Sequence, residues 1–178
     1  MTRRDPEGRR QAIIDAAGRV IAREGVGGLT HRKAAAEAGV PLGATTYYFT
    51  GLSELITAAF EDTAGASREL LAALGEALAA SADPPAELAR RTRAYLAEPE
   101  RFRTANELYL AAAHRPELRP LARLWTDGLT DVLTPYAGAA RARTIAVFLD
   151  GVLLRTLITG TPPDEPPLAD ALTALMRR

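Results

Sequence analysis

The sequence predicts an all-α fold, and three observations carry that prediction. Runs rich in Ala, Leu, Arg and Glu dominate the chain, no strand-like alternation lasts beyond a few residues, and Gly and Pro fall between the periodic segments. With 178 residues, 47% hydrophobic and 25% charged, the chain has ordinary globular composition and enough length to bury a core.

A first helix is expected over Pro6–Glu24, where Ala12, Ile13, Ala16, Ala17, Val20 and Ile21 recur at helical spacing and Gly25 fits the stop. Thr30 is suited to cap a short second helix ending at Gly39. Pro41 can open a third, because proline is well tolerated at the first helical position. A longer helix is expected over 52–82, then helices near 86–97, 100–114, 117–135, 139–159 and 167–177. The prolines at 84, 85, 99, 116, 135 and 162–163 mark the breaks.

Composition removes several function classes. The chain has no cysteine, which excludes disulfides, thiol nucleophiles, thiolate metal sites and iron–sulfur clusters. Its two histidines, His31 and His114, lie far apart in sequence, so neither a metal site nor a histidine-based catalytic centre is expected. The stretch EGVGG lacks the Lys-Ser/Thr that completes a phosphate-binding loop, and no nucleophile–base arrangement stands out. An enzyme is therefore not expected, and no cofactor is implied. The start MTRRDPEGRRQ has no apolar core behind its arginines and no run approaches 18 apolar residues, so a cytoplasmic protein without membrane contact is expected.

Net charge is zero, but unevenly spread: residues 1–50 hold 8 Lys+Arg against 5 Asp+Glu, and residues 51–178 hold 14 against 17. The basic excess is at the N-terminal end, and there the stretch LTHRKAAAEAGVPLGATTYYF, residues 29–49, puts Thr30, His31, Arg32 and Lys33 at a helix start. A helix N-terminus already carries about half a positive charge, so basic residues there oppose local stability unless an anion meets them. Helix, glycine-containing turn and helix within about twenty residues is helix-turn-helix spacing, whose second helix can enter a DNA major groove. Within it Ala35, Ala38, Val40, Thr45 and Phe49 are expected inside, with Gly43, Thr46 and Tyr47 sharing the outward face. Phosphate against the basic helix start would resolve the electrostatic conflict; the alternative is a solvated basic helix end.

These residues, followed by SELI, resemble the N-terminal domain of TetR-family transcriptional repressors over roughly residues 9–60. The resemblance implies a three-helix DNA-binding domain at residues 1–51 and a helical ligand-binding and dimerisation domain at 52–178. The expected partners are double-stranded operator DNA, a second copy of the chain and an unidentified small-molecule inducer. Carried over by position, Thr30, His31 and Tyr48 match phosphate-contacting places, while Arg32, Leu42, Gly43, Ala44, Thr46 and Tyr47 match groove-facing places. Two residues depart from the family pattern: Leu52 stands where a phosphate-binding lysine is usual, and Pro41 where serine is usual. Arg3, Arg4, Arg9 and Arg10 offer compensating charge in an N-terminal arm.

In the C-terminal part, residues 143–158, RTIAVFLDGVLLRTLI, are apolar nearly all round, as in a helix covered on more than one side. With LADALTALMRR they resemble the last two helices of the family, which form a four-helix dimer interface. Val147, Leu154, Leu157, Ile158, Leu172 and Leu175 are the candidate interface residues. Candidate ligand contacts are Tyr95, Phe102, Glu107, Trp125, Phe148 and Asp150; the aromatics are also ordinary core material, and Asp150 has an ion pair as its alternative role. The remaining alternative to DNA binding is a helical module that binds another protein.

Overall fold

The computed structural model describes residues 6–177, without the side chains of residues 99–101. Nine α-helices follow one another among the described residues: α1 (Pro6–Glu24), α2 (His31–Ala38), α3 (Leu42–Tyr48), α4 (Leu52–Ala80), α5 (Pro84–Leu96), α6 (Pro99–His114), α7 (Arg119–Ala137), α8 (Ala139–Thr159) and α9 (Glu165–Met176). Single 3-10 turns at Val26–Gly28 and Pro116–Leu118 precede α2 and α7.

The prolines do different work from that expected of them. Pro84 and Pro99 are first residues of α5 and α6, where a missing N–H has no intrahelical partner to lose, so both helices begin earlier than a break at proline predicts. Asp83 caps α5, its side chain accepting from Ala86 N at 3.1 Å. Pro135 does not end α7, which continues to Ala137. So close to the C-terminus the proline forfeits a single ladder bond, and Gly138 N still donates to Thr134 O at 2.9 Å. Pro41 is the N-cap of α3, one position before the helix.

The chain forms two compact units. The first takes residues up to 65 together with 103–121; the second takes 66–102 together with 122–178. This division is not a single cut after residue 51: the first half of α4 and most of α6 group with the N-terminal helices.

In the first unit α1 packs mainly on α2. Its buried face is formed by Ile13, Ile14, Ala16, Ala17, Val20 and Ile21, and Leu29, Phe49, Leu55 and Phe60 of the same unit are fully buried as well. Each such side chain contributes about 1.5–3 kcal/mol of apolar burial. Core of the second unit comes from Leu74, Leu78, Leu88, Leu129, Leu133, Ile145, Leu168 and Leu172. There α5 and α9 lie close together, and Arg93 Nη1 donates to Pro163 O at 2.6 Å just before α9.

Candidate nucleic-acid interface and internal cavity

Thr30 builds the start of α2: its extended backbone places Oγ1 to accept from Lys33 N at 3.2 Å. Gly39 ends the helix at φ 65°, a left-handed conformation that glycine adopts without strain, and Val40 N closes the turn on Ala35 O at 3.0 Å. Pro41 then opens α3, whose inner side is fixed by Thr45, fully buried with its hydroxyl donating to Leu42 O at 2.8 Å. Phe49 is fully buried beneath Arg10, whose guanidinium carbon lies 5.2 Å from the ring centroid.

The outer face of α3 is open. Leu42 is 45% exposed and Tyr47 79% exposed, Gly43 and Thr46 lie on the surface, and Ala44 is half-buried. The Tyr47 and Tyr48 rings meet edge to face at 5.1 Å, with Tyr48 half-buried. A Cβ added at Gly43 would meet nothing within 4 Å, so packing within the chain does not require glycine there.

The basic residues at the start of α2 separate into two groups. Lys33 Nζ is held by the Glu24 carboxylate, an intrachain neutralisation that the reading of an unmet basic cluster did not include. Arg32 is exposed and makes no ion pair among the described residues, and His31 is half-buried with Nδ1 lacking a hydrogen-bond partner. Thr30 is exposed. Behind them Arg19 Nε and Arg23 Nη2 clamp the Glu37 carboxylate at 2.8 and 2.6 Å, tying α1 to α2. Those hydrogen bonds, Arg23's first, lower the Glu37 pKa from 4.5 to about 2.

Leu52 is half-buried at the first position of α4. Glu54 is occupied by Thr50, whose N–H and hydroxyl donate to Oε2 at 2.7 and 2.9 Å and hold the carboxyl below its usual pKa. Arg9 is exposed, while Arg3 and Arg4 lie outside the described residues.

In the second unit a cavity of about 180 Å³ opens between α4, α5, α7 and α8. Apolar walls come from Leu70, Leu74, Leu88, Leu129, Leu149 and Leu153; polar groups come from Arg91, Thr92 and Glu98. Tyr95 and Trp125 line it as a stacked pair, with centroids 5.8 Å apart and planes at 19°.

Four expected ligand contacts lie elsewhere. Phe102 is buried, with its ring 6.2 Å from that of Tyr95, and Phe148 packs on the core. Asp150 is outside the lining, and partial burial raises its pKa; among the described residues it has no ion-pair partner, Arg155 included. Glu107 belongs to the first unit, where its carboxylate accepts from Val26 N at 3.2 Å beside Gly25. The missed residues Arg91, Thr92 and Glu98 flank Tyr95 at i−4, i−3 and i+3. That helical spacing is the signal that would have found them.

On α8, Val147, Leu154 and Ile158 are 71%, 52% and 76% exposed and form a stripe at i, i+7 and i+11, with exposed Gly151 between them. Leu157 is half-buried on the same helix. Of the two α9 candidates, Leu172 is fully buried in the unit's own core and Leu175 packs against that core, so neither presents a free face comparable to α8. Among the described residues no cluster of His, Asp or Glu is arranged to hold a metal, and no helix is long and apolar enough to cross a membrane.

Comparison with known proteins converges on one group. Residues 76–178 match the family model described as tetracyclin repressor-like, C-terminal domain. No curated protein matches the chain significantly. A TetR-family structure from Streptomyces coelicolor A3 shares 41% identity over 96% of this chain and 99% of that one, with a TM-score of 0.84. The multidrug binding protein EbrR in complex with imidazole shares 41% identity over 98% of this chain and 97% of that one, with a TM-score of 0.79. EbrR has also been solved with malachite green, ethidium and proflavin. The chain belongs to the TetR family of transcriptional regulators.

Proposed function

We propose that this regulator is a repressor that binds a palindromic operator as a homodimer and is released when a small aromatic molecule occupies the cavity of the second unit. The observation that carries the reading is the outer face of α3. Tyr47 and Leu42 stand exposed beside a glycine that the chain's own packing does not need. Thr30, His31 and Tyr48 are assigned to phosphates, and Arg32, Leu42, Gly43, Ala44, Thr46 and Tyr47 to the groove. With Lys33 already held by Glu24, the phosphate contacts of α2 fall to Thr30 and His31, and Arg32 is the α2 cation assigned to the groove.

The α8 stripe is assigned to the two-fold interface, since apolar side chains this exposed on one helix gain free energy by covering each other. A two-fold dimer sets its recognition helices on half-sites about 34–36 Å apart. A ligand that binds one spacing of those helices better than another shifts the population between them, and this differential affinity is the switch.

The stacked Tyr95–Trp125 pair supports an aromatic ligand, and the EbrR complexes make cationic dyes the first compounds to try. Trp125 is the chain's one tryptophan, so it reports on the cavity directly. Titration with malachite green should quench its emission saturably, and Tyr95→Ala should weaken the response. Unsaturable quenching, identical in wild type and Tyr95→Ala, would remove the ligand assignment.

A further inference from the structure

Each base pair offers distinct chemistry in the major groove. Guanine takes two donors from Arg or Lys, adenine pairs with Asn or Gln, cytosine donates to Asp or Glu, and thymine alone presents a methyl group. From Pro41 to Thr50, the span of α3 and its flanks, the chain carries none of those six residue types.

What α3 does expose is a leucine, a glycine, a threonine and a tyrosine. The Thr46 hydroxyl donates to Gly43 O at 3.3 Å, which occupies its proton. Nearby charges are mostly committed: Lys33 to Glu24, and the Glu54 carboxylate to Thr50. Arg32 is the exposed cation left on α2 without an ion pair among the described residues.

We infer that α3 reads its half-site through thymine methyl groups packed against Leu42 and Tyr47, with guanine recognition confined to Arg32. The open space at Gly43 lets the helix backbone approach until those side chains reach the methyls. The inference rests on the DNA-binding reading above and specifies its chemistry: an A·T-rich half-site with at most one fixed guanine, recognised by apolar contact more than by hydrogen bonding.

The test uses the full-length protein. A duplex is first selected from a random-sequence pool, and each of its thymines is then replaced singly by deoxyuridine, which removes only the C5 methyl. At two or more positions per half-site, replacement should weaken binding about fourfold, the worth of one buried methylene-sized group. Leu42→Ala or Tyr47→Ala should abolish the penalty at its own thymine while leaving the others, because side chain and methyl form one contact. Both residues are well exposed, so these variants should fold as wild type does.

Arg32→Ala should relax preference at a single guanine. Deoxyuridine copies that bind like the thymine originals, or a selected site fixed by several guanines, would overturn the inference while leaving DNA binding intact. Failure to enrich any sequence would overturn the DNA-binding reading as well.

Discussion

Gly43→Ala gives opposite predictions for folding and for DNA binding. A glycine inside a helix is less favourable than alanine by about 0.8–1 kcal/mol, and a Cβ at this position meets nothing within 4 Å, so no clash offsets the gain. The variant should be more stable by roughly 0.5–1 kcal/mol, seen as a higher urea midpoint with an unchanged slope. On DNA the same methyl stands between the α3 backbone and the base edges. Overpacking a close contact costs about 1–3 kcal/mol, so affinity for a specific site should fall by about fivefold or more. Fluorescence anisotropy on a selected duplex measures that loss, and non-specific binding should change little. A variant that gains stability and binds its site unchanged refutes close approach of the backbone; a variant that loses stability refutes the open space around Gly43.

Other residues give further tests. Glu107→Ala should destabilise the first unit by about 1–3 kcal/mol, because Val26 N–H loses its acceptor, whereas Glu107→Gln, which keeps a carbonyl oxygen in reach, should cost less; equal stabilities by urea denaturation would contradict the contact. Glu37 titrates near 4.5 when unfolded and about 2 when folded, so its contribution is full above pH 4.5 and is lost as pH falls towards 2. Glu37→Gln should therefore flatten the stability profile between those pH values, and an unaltered acid limb would count against the Arg19–Glu37–Arg23 clamp. Asp150 has the opposite sign: burial raises its folded pKa, so its penalty grows as pH rises above 3.8, and Asp150→Asn should raise stability at neutral pH. Ile158→Lys, at a side chain the chain itself leaves exposed, should give a folded monomer by sedimentation equilibrium, and a persisting dimer would move the interface off α8.

The parts of the fold governed by local chemistry were readable from the sequence. Thr30 and Gly39 delimit α2 by side-chain capping and a left-handed backbone, both properties of single residues. The boundaries of α5, α6 and α7 were harder, since a proline opens a helix as readily as it stops one, and Pro135 near a helix end does neither. Pairings over distance were illegible. Glu107 reaches a backbone N–H 81 positions away, and Lys33 finds Glu24 across the turn, contacts that no local pattern announces. In the cavity, Tyr95 and Trp125 stood out as large aromatics, while Arg91 and Thr92 on α5 and Glu98 just after it are unremarkable residues that only the folded chain brings to one wall.

The most direct test of a sequence-reading α3 is a salt series of anisotropy titrations, wild type beside Tyr47→Ala, on the DNA flanking the protein's own gene. Wild type should bind tightly with log affinity falling linearly in log salt, and Tyr47→Ala should bind the site about fourfold or more weakly, with its binding to unrelated DNA unchanged and most of that slope kept. Weak binding by both proteins, with no difference between them at any salt concentration, would contradict the account and point to a protein partner for α2 and α3.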